Sequence, residues 1–98
     1  MRRTVVLSPD AVRQFRKLRA AERARVRDAM EASLANDDAL VETRNRFRLR
    51  RPSDAAEFEL RVGDVRAFYR VAGTEVQVVL IGRKRRNHVV IDGKRFVL

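Results

Sequence analysis

The spacing of apolar positions along the chain changes twice, and each change marks a change of element. Thr4-Val5-Val6-Leu7 is short and β-branched, which predicts a strand. Ser8-Pro9-Asp10 follows it directly and predicts a helix start: a hydroxyl to cap the free amides, a proline suited to the first helical position, and a carboxylate at the positive end of the helix dipole. Ala11, Val12, Phe15 and Leu18 then recur at helical spacing and leave Arg13, Arg16, Lys17 and Arg19 mostly outside. Ala20-Ala21-Glu22 allows a turn or bend. Beyond it Val26, Ala29, Met30, Ser33 and Leu34 mark one face of a second helix of about four turns. The two helices are expected to form a hairpin. Asn36-Asp37-Asp38 ends the second, because these side chains compete for backbone hydrogen bonds.

From Val41 the period shortens to two. Arg46-Phe47-Arg48-Leu49-Arg50, after Asn45, alternates basic and apolar residues, which on a strand predicts one apolar face and one cationic face. Pro52-Ser53-Asp54 breaks it. In Glu57-Phe58-Glu59-Leu60-Arg61-Val62, residues Phe58, Leu60 and Val62 are expected inward and Glu57, Glu59 and Arg61 outward. Gly63-Asp64 is a hairpin signal. The next strand, Val65 to Val71, divides into Arg66, Phe68 and Arg70 on one face and Val65, Ala67, Tyr69 and Val71 on the other. After Ala72-Gly73-Thr74, the run Val76-Gln77-Val78-Val79-Leu80-Ile81 is apolar enough to belong in mid-sheet. Gly82 to His88 is expected to leave the sheet as a dense positive loop. Val89-Val90-Ile91, Asp92-Gly93 and Phe96-Val97-Leu98 suggest a small closing hairpin. Helices followed by strands indicate an α+β fold: an N-terminal strand, a two-helix hairpin, then a mainly antiparallel twisted sheet of about four strands, with residues 1–98 as a single domain.

The composition of this 98-residue chain narrows the partners. Lys and Arg number 23 against 13 Asp and Glu, a formal charge of +10. Most of the cations are arginine, whose planar fork binds phosphate bidentately and stacks on bases, so the excess implies a polyanionic partner. A solvated surface is the alternative use of the same charge. The chain has no cysteine, which excludes disulfides, thiolate zinc sites and cysteine nucleophiles. Its apolar runs are strand-sized, and Met1-Arg2-Arg3 precedes no signal-type segment. No membrane association and a cytoplasmic location are expected.

The stretch from Phe58 to Val71, with its Leu60-Arg61-Val62-Gly63-Asp64-Val65-Arg66 core and Tyr69, resembles the central hairpin of the RelE/ParE toxin superfamily of type II toxin–antitoxin systems. Ile81-Gly82-Arg83-Lys84-Arg85 is similar to that superfamily's glycine-basic-basic exit from its last core strand, and Leu7-Ser8-Pro9-Asp10-Ala11 with the two-helix hairpin is similar to its N-terminal half. The resemblance implies a RelE-like microbial RNase-type fold and a toxin held inactive by a cognate antitoxin protein, with operator DNA bound only through the antitoxin complex. RelE-like members cut messenger RNA on the ribosome and inhibit translation; ParE-like members poison DNA gyrase. The leading expectation is a metal-independent, ribosome-dependent endoribonuclease without cofactors. The alternatives are a ParE-like gyrase inhibitor without nuclease activity, or an inactive homologue that binds its antitoxin as a corepressor.

Cleavage through 2'-hydroxyl attack needs a base, an acid and cations around the scissile phosphate. Arg66 matches the family arginine after the central turn and is the candidate phosphate clamp, with an ion pair to Glu59 or Asp64 as its structural alternative. Lys84 and Arg86 match basic positions at the strand exit and could stabilise the phosphorane or simply form a solubilising or antitoxin-binding loop. Glu57 and Glu59 stand where RelE-type enzymes have lysines, and Val90 where they have a tyrosine. Glu59 as base and His88 as acid are therefore the replacement candidates, on elements expected to be adjacent. An ordinary polar role for His88 and a pairing of Glu59 with an arginine across strands are the alternatives. Arg46, Arg48 and Arg50, with Arg61, Arg83 and Arg85, are expected to complete one continuous RNA-binding groove. One histidine without cysteine builds no conventional metal site.

Overall fold

The computed structural model describes residues 2–50 and 56–96. The predicted break at Pro52-Ser53-Asp54 and the last two residues, Val97 and Leu98, lie outside the described residues.

The start of the chain folds as its local chemistry dictates. Strand β1 (Thr4–Leu7) ends at Ser8, whose side chain accepts from the Ala11 amide at 3.0 Å and caps helix α1 (Pro9–Arg16). The second helix, α2 (Ala20–Met30), begins at the alanines expected to form the bend; the turn is Lys17 to Arg19. Glu22 in its first turn accepts from the Arg19 amide at 3.4 Å. A wider π-helical turn, Glu31–Ala35, continues α2 to Asn36, where helix ends as expected.

Among the described residues the sheet has seven strands rather than about four. They are β1, β2 (Arg46–Arg48), β3 (Phe58–Val62), β4 (Val65–Ala72), β5 (Glu75–Arg85), β6 (His88–Ile91) and β7 (Lys94–Phe96). Their order is β2-β3-β4-β5-β6-β7, with β1 parallel to the first half of β5 and every other pair antiparallel. The N-terminal strand joins the sheet as β1, and the expected closing hairpin joins it as β6 and β7. The residues expected to form a positive loop instead extend β5 through Arg85, and the turn that follows is only Arg86 and Asn87, with Arg86 at a left-handed φ of 57°. The Asp92-Gly93 signal then produces β7, both turn residues having positive φ as the tight hairpin requires.

The helices cover one face. There Ala11, Leu18, Val26, Met30 and Leu34 pack on Phe58, Leu60, Val65, Ala67, Tyr69, Val76, Val78 and Ile81. The expected in–out division of β3 and β4 holds. The Phe58 and Tyr69 rings stack at 5.3 Å, and the Tyr69 hydroxyl donates to the Ala39 carbonyl at 2.8 Å. Burial pushes that phenol's pKa up, so it serves as a neutral pin. A smaller cluster on the opposite face joins Phe68, Ile91, Leu49 and Ala56. No helix among the described residues is long and apolar enough to cross a membrane.

One side of β5 has a gap between its β1 and β6 partners, and α1 fills it. A bulge facing Phe68 and Tyr69 leaves Val79 as the extra residue. The Ser8 hydroxyl donates to the Val79 carbonyl at 2.7 Å, and the Gln14 carbonyl oxygen accepts from the Ile81 amide at 2.7 Å. The Gln14 amide nitrogen donates to Asp92 at 3.0 Å, and Asp92 also receives two bonds from Arg13, at 2.7 and 2.9 Å. Helix α1 is thereby tied to the β6–β7 turn, and the Asp92 carboxyl is held far below the usual carboxylate range, chiefly by Arg13.

Candidate functional site

The expected groove of arginines does not form. Strand register decides this: Arg46 stands opposite Leu60 and Phe47 opposite Glu59, so Arg46 lies on the helix-covered face and the apolar Phe47 on the other, the reverse of the expected orientation. Arg46 is 2% exposed. Its guanidinium donates to the Ser33 carbonyl at 2.6 Å and the Val41 carbonyl at 3.0 Å and pairs with Asp37 at 2.9 Å. A charge can be buried there because two carbonyls and a carboxylate satisfy its donors. It is a strut for the segment between α2 and β2, not an RNA contact.

The remaining predicted RNA-binding residues divide between the two faces. Arg48 is exposed, its guanidinium 4.7 Å from the centre of the Phe58 ring, and Arg50 is exposed just beyond β2. Arg61 lies on the opposite face, 4.0 Å over the Phe47 ring and bonded through Nε to Glu59 at 2.7 Å. Arg83 returns to the helix side and grips Glu22 with two bonds of 2.6 Å. That grip lowers the Glu22 carboxyl to about 2. Arg85 follows two residues later on the same face and is exposed.

The predicted catalytic residues are also separated. Arg66 is 7% exposed and turned onto its own hairpin, donating to the Gly63 carbonyl at 2.7 Å and the Val65 carbonyl at 3.1 Å. Neither expected ion pair, to Glu59 or Asp64, is made. Burial, with Arg61 opposite it across the strands, pushes its pKa down. Glu59 is 7% exposed and committed to Arg61, its neighbour two residues along the same strand. His88 belongs to β6, separated from β3 by the two strands β4 and β5, so the expected adjacency is absent. Glu59 stands level with Phe68 and Leu80, whereas His88 stands level with Arg85. Leu80 and Arg85 are an odd number of residues apart, which puts Glu59 and His88 on opposite faces, on the order of 20 Å apart from strand rise and spacing.

The structure does bring together the strand exit. Asp64, Lys84, Arg85, Arg86 and His88 line an open depression where the β3–β4 and β5–β6 turns meet, the Lys84 amide donating to the Asp64 carbonyl at 2.7 Å. Lys84, Arg85 and Arg86 are exposed and make no ion pair among the described residues. His88 is half-buried, with Nδ1 enclosed and unpartnered. No group of three or more His, Asp or Glu among the described residues is placed to hold a metal ion.

Gln14, Arg13 and Asp92 escaped the sequence reading. The signal for Gln14 is its spacing, three residues after Ala11 and four before Leu18, inside the apolar stripe of α1.

The chain's sequence matches, over residues 5–88, the family described as the ParE toxin of the type II toxin-antitoxin system parDE. The chain belongs to the ParE toxin family. No curated protein sequence matches it. Among solved structures, the fold of this ParE-family chain is similar to one in the crystal structure of the archaeal RelE-RelB complex from Pyrococcus horikoshii OT3. The identity is 18%, the TM-score 0.64, and the match covers 88% of this chain and 99% of that one. The likeness supports the RelE/ParE superfamily fold, and the family match makes the chain a type II toxin–antitoxin toxin.

Proposed function

We propose that this toxin acts by binding, as a ParE-like inhibitor of DNA gyrase, and that it does not cleave RNA. A cognate antitoxin neutralises it, and operator DNA is contacted through the toxin–antitoxin complex. The observation that carries this reading is the separation of Glu59 from His88. General acid–base cleavage requires both groups within hydrogen-bond reach of one scissile phosphate, and a pair on opposite faces of the sheet cannot share one. The clamp residue Arg66, held by its own turn, strengthens the case. The exposed cations at the strand exit need no catalytic partner to bind an acidic surface.

Expression of the chain without its antitoxin tests the proposal. The expected outcome is arrested growth, accumulation of DNA damage and intact messenger RNA ends, and the purified protein should inhibit supercoiling by gyrase. Cleaved transcripts with unaffected supercoiling would restore the RelE-like nuclease.

A further inference from the structure

Asp92-Gly93, the turn between β6 and β7, is the only place in the sequence where a glycine follows an aspartate or an asparagine. That order carries its own covalent chemistry. The backbone nitrogen after an aspartate can attack the side-chain Cγ and close a succinimide ring, and a following residue without a Cβ hinders the attack least. Every other aspartate of the chain precedes a residue with a side chain. Both turn residues are exposed, at left-handed φ of 54° and 76°, and a Cβ on Gly93 would meet nothing within 4 Å, so water reaches the turn. Helix α1 restrains the other reactant. Asp92 Oδ1 accepts from Arg13 at 2.7 Å, and Oδ2 accepts from Arg13 at 2.9 Å and from Gln14 at 3.0 Å. Gln14 is itself anchored, its carbonyl oxygen accepting from the Ile81 amide at 2.7 Å. Ring closure expels one carboxylate oxygen, and here both oxygens are committed to α1.

We propose that Asp92 is a site of aspartate isomerisation that Arg13 and Gln14 keep closed, and that it opens whenever α1 lifts from the β6–β7 turn. In the reaction the Gly93 amide nitrogen bonds to Asp92 Cγ and one Cγ–O bond breaks. That oxygen leaves as water, carrying the amide proton and one proton from solvent. A water molecule then opens the succinimide. Attack at Cγ restores aspartate; attack at the Asp92 backbone carbonyl carbon leaves the chain running through Cγ as isoaspartate, with no net change in mass. The isomer adds one carbon to the backbone of a tight turn and attaches its carboxylate directly to Cα, which shortens the reach that joined Arg13 and Gln14. Local opening of α1 therefore governs a covalent change, and the change in turn loosens α1. This concerns the chain's own covalent state and does not depend on the target proposed above.

The test incubates the full chain at neutral pH. Isoaspartate is counted over time by enzymatic methylation with an isoaspartyl methyltransferase and located by electron-transfer fragmentation of the peptide that contains Asp92. The same chain in concentrated urea gives the rate without α1 in place. Isoaspartate should accumulate at Asp92 before any other aspartate, and urea should raise its rate about tenfold or more over the folded chain. Arg13→Ala removes two of the three bonds and should accelerate the folded chain about fivefold. Arg13→Lys, which keeps a cation but not the fork, should fall between Arg13→Ala and the wild type. Amide exchange measures the globally unfolded fraction of each protein, so that only isomerisation beyond that fraction is scored. If Arg13→Ala does not fold, Arg13→Lys against the wild type carries the comparison. Equal rates in the folded chain and in urea, folded variants no faster than the wild type, or isoaspartate arising chiefly at another aspartate would each overturn the proposal.

Discussion

Two arginine-rich stretches of this chain meet opposite fates. In Arg46-Phe47-Arg48 the first arginine is enclosed by the Ser33 and Val41 carbonyls and Asp37, while in Lys84-Arg85-Arg86 all three cations face solvent without ion pairs among the described residues. The residue types are nearly the same. What differs is what the neighbouring segments supply. The α2–β2 segment brings oxygen acceptors to Arg46, whereas the β5–β6 turn leaves its cations at the end of the sheet. Burial fixes one arginine as part of the fold and exposure leaves the others for a partner.

Arg46→Ala should break the contrast most severely. It empties a buried site and strands two carbonyls, for an expected loss of about 3 kcal/mol in chemical denaturation. Arg46→Lys should recover only part of this, since an ammonium cannot span the three acceptors as the fork does. Gly82→Ala comes next, because its Cβ would collide with Ile91 and the Val90 backbone; overpacking of this kind costs about 2 kcal/mol. Amide exchange in β6 should accelerate with it. Gln14→Leu keeps the volume but leaves the Ile81 amide unpaired, for about 1.5 kcal/mol.

Acid should sharpen the comparison at Glu22. Its folded pKa, about 2, is depressed from 4.5 by Arg83, so its contribution is complete above pH 4.5 and disappears as pH falls towards 2. With the partial exposure of the pair discounted, that contribution is about 1 kcal/mol, and Glu22→Gln should flatten the acid limb of a stability–pH curve. The smallest stability effect belongs to the exposed stretch. Substituting alanine at Lys84, Arg85 and Arg86 together should change stability by no more than about 0.5 kcal/mol while abolishing the gyrase inhibition proposed above.

The local chemistry of several segments was legible from their residues alone. Ser8-Pro9-Asp10 carries its own cap, Gly63-Asp64 its own turn, and the alternation from Phe58 to Val62 its own inward face; each depends on neighbours within a few positions. The candidate site was much less legible. Glu59 and His88 were reasonable partners by residue type, yet whether two strands lie between them is a property of strand order. Arg46 misled for a related reason: alternation divides a strand into two faces without saying which is covered, and a one-residue choice of register exchanges them.

The sequence by itself therefore determined the elements, the α+β class and the charge, because period, capping and turn chemistry act over a few residues. Only the tertiary structure decided which cations are enclosed and which are exposed, and that Gln14 fills the gap in the β5 ladder. Those outcomes depend on acceptors delivered from distant parts of the chain, and they follow from long-range register rather than from local preference.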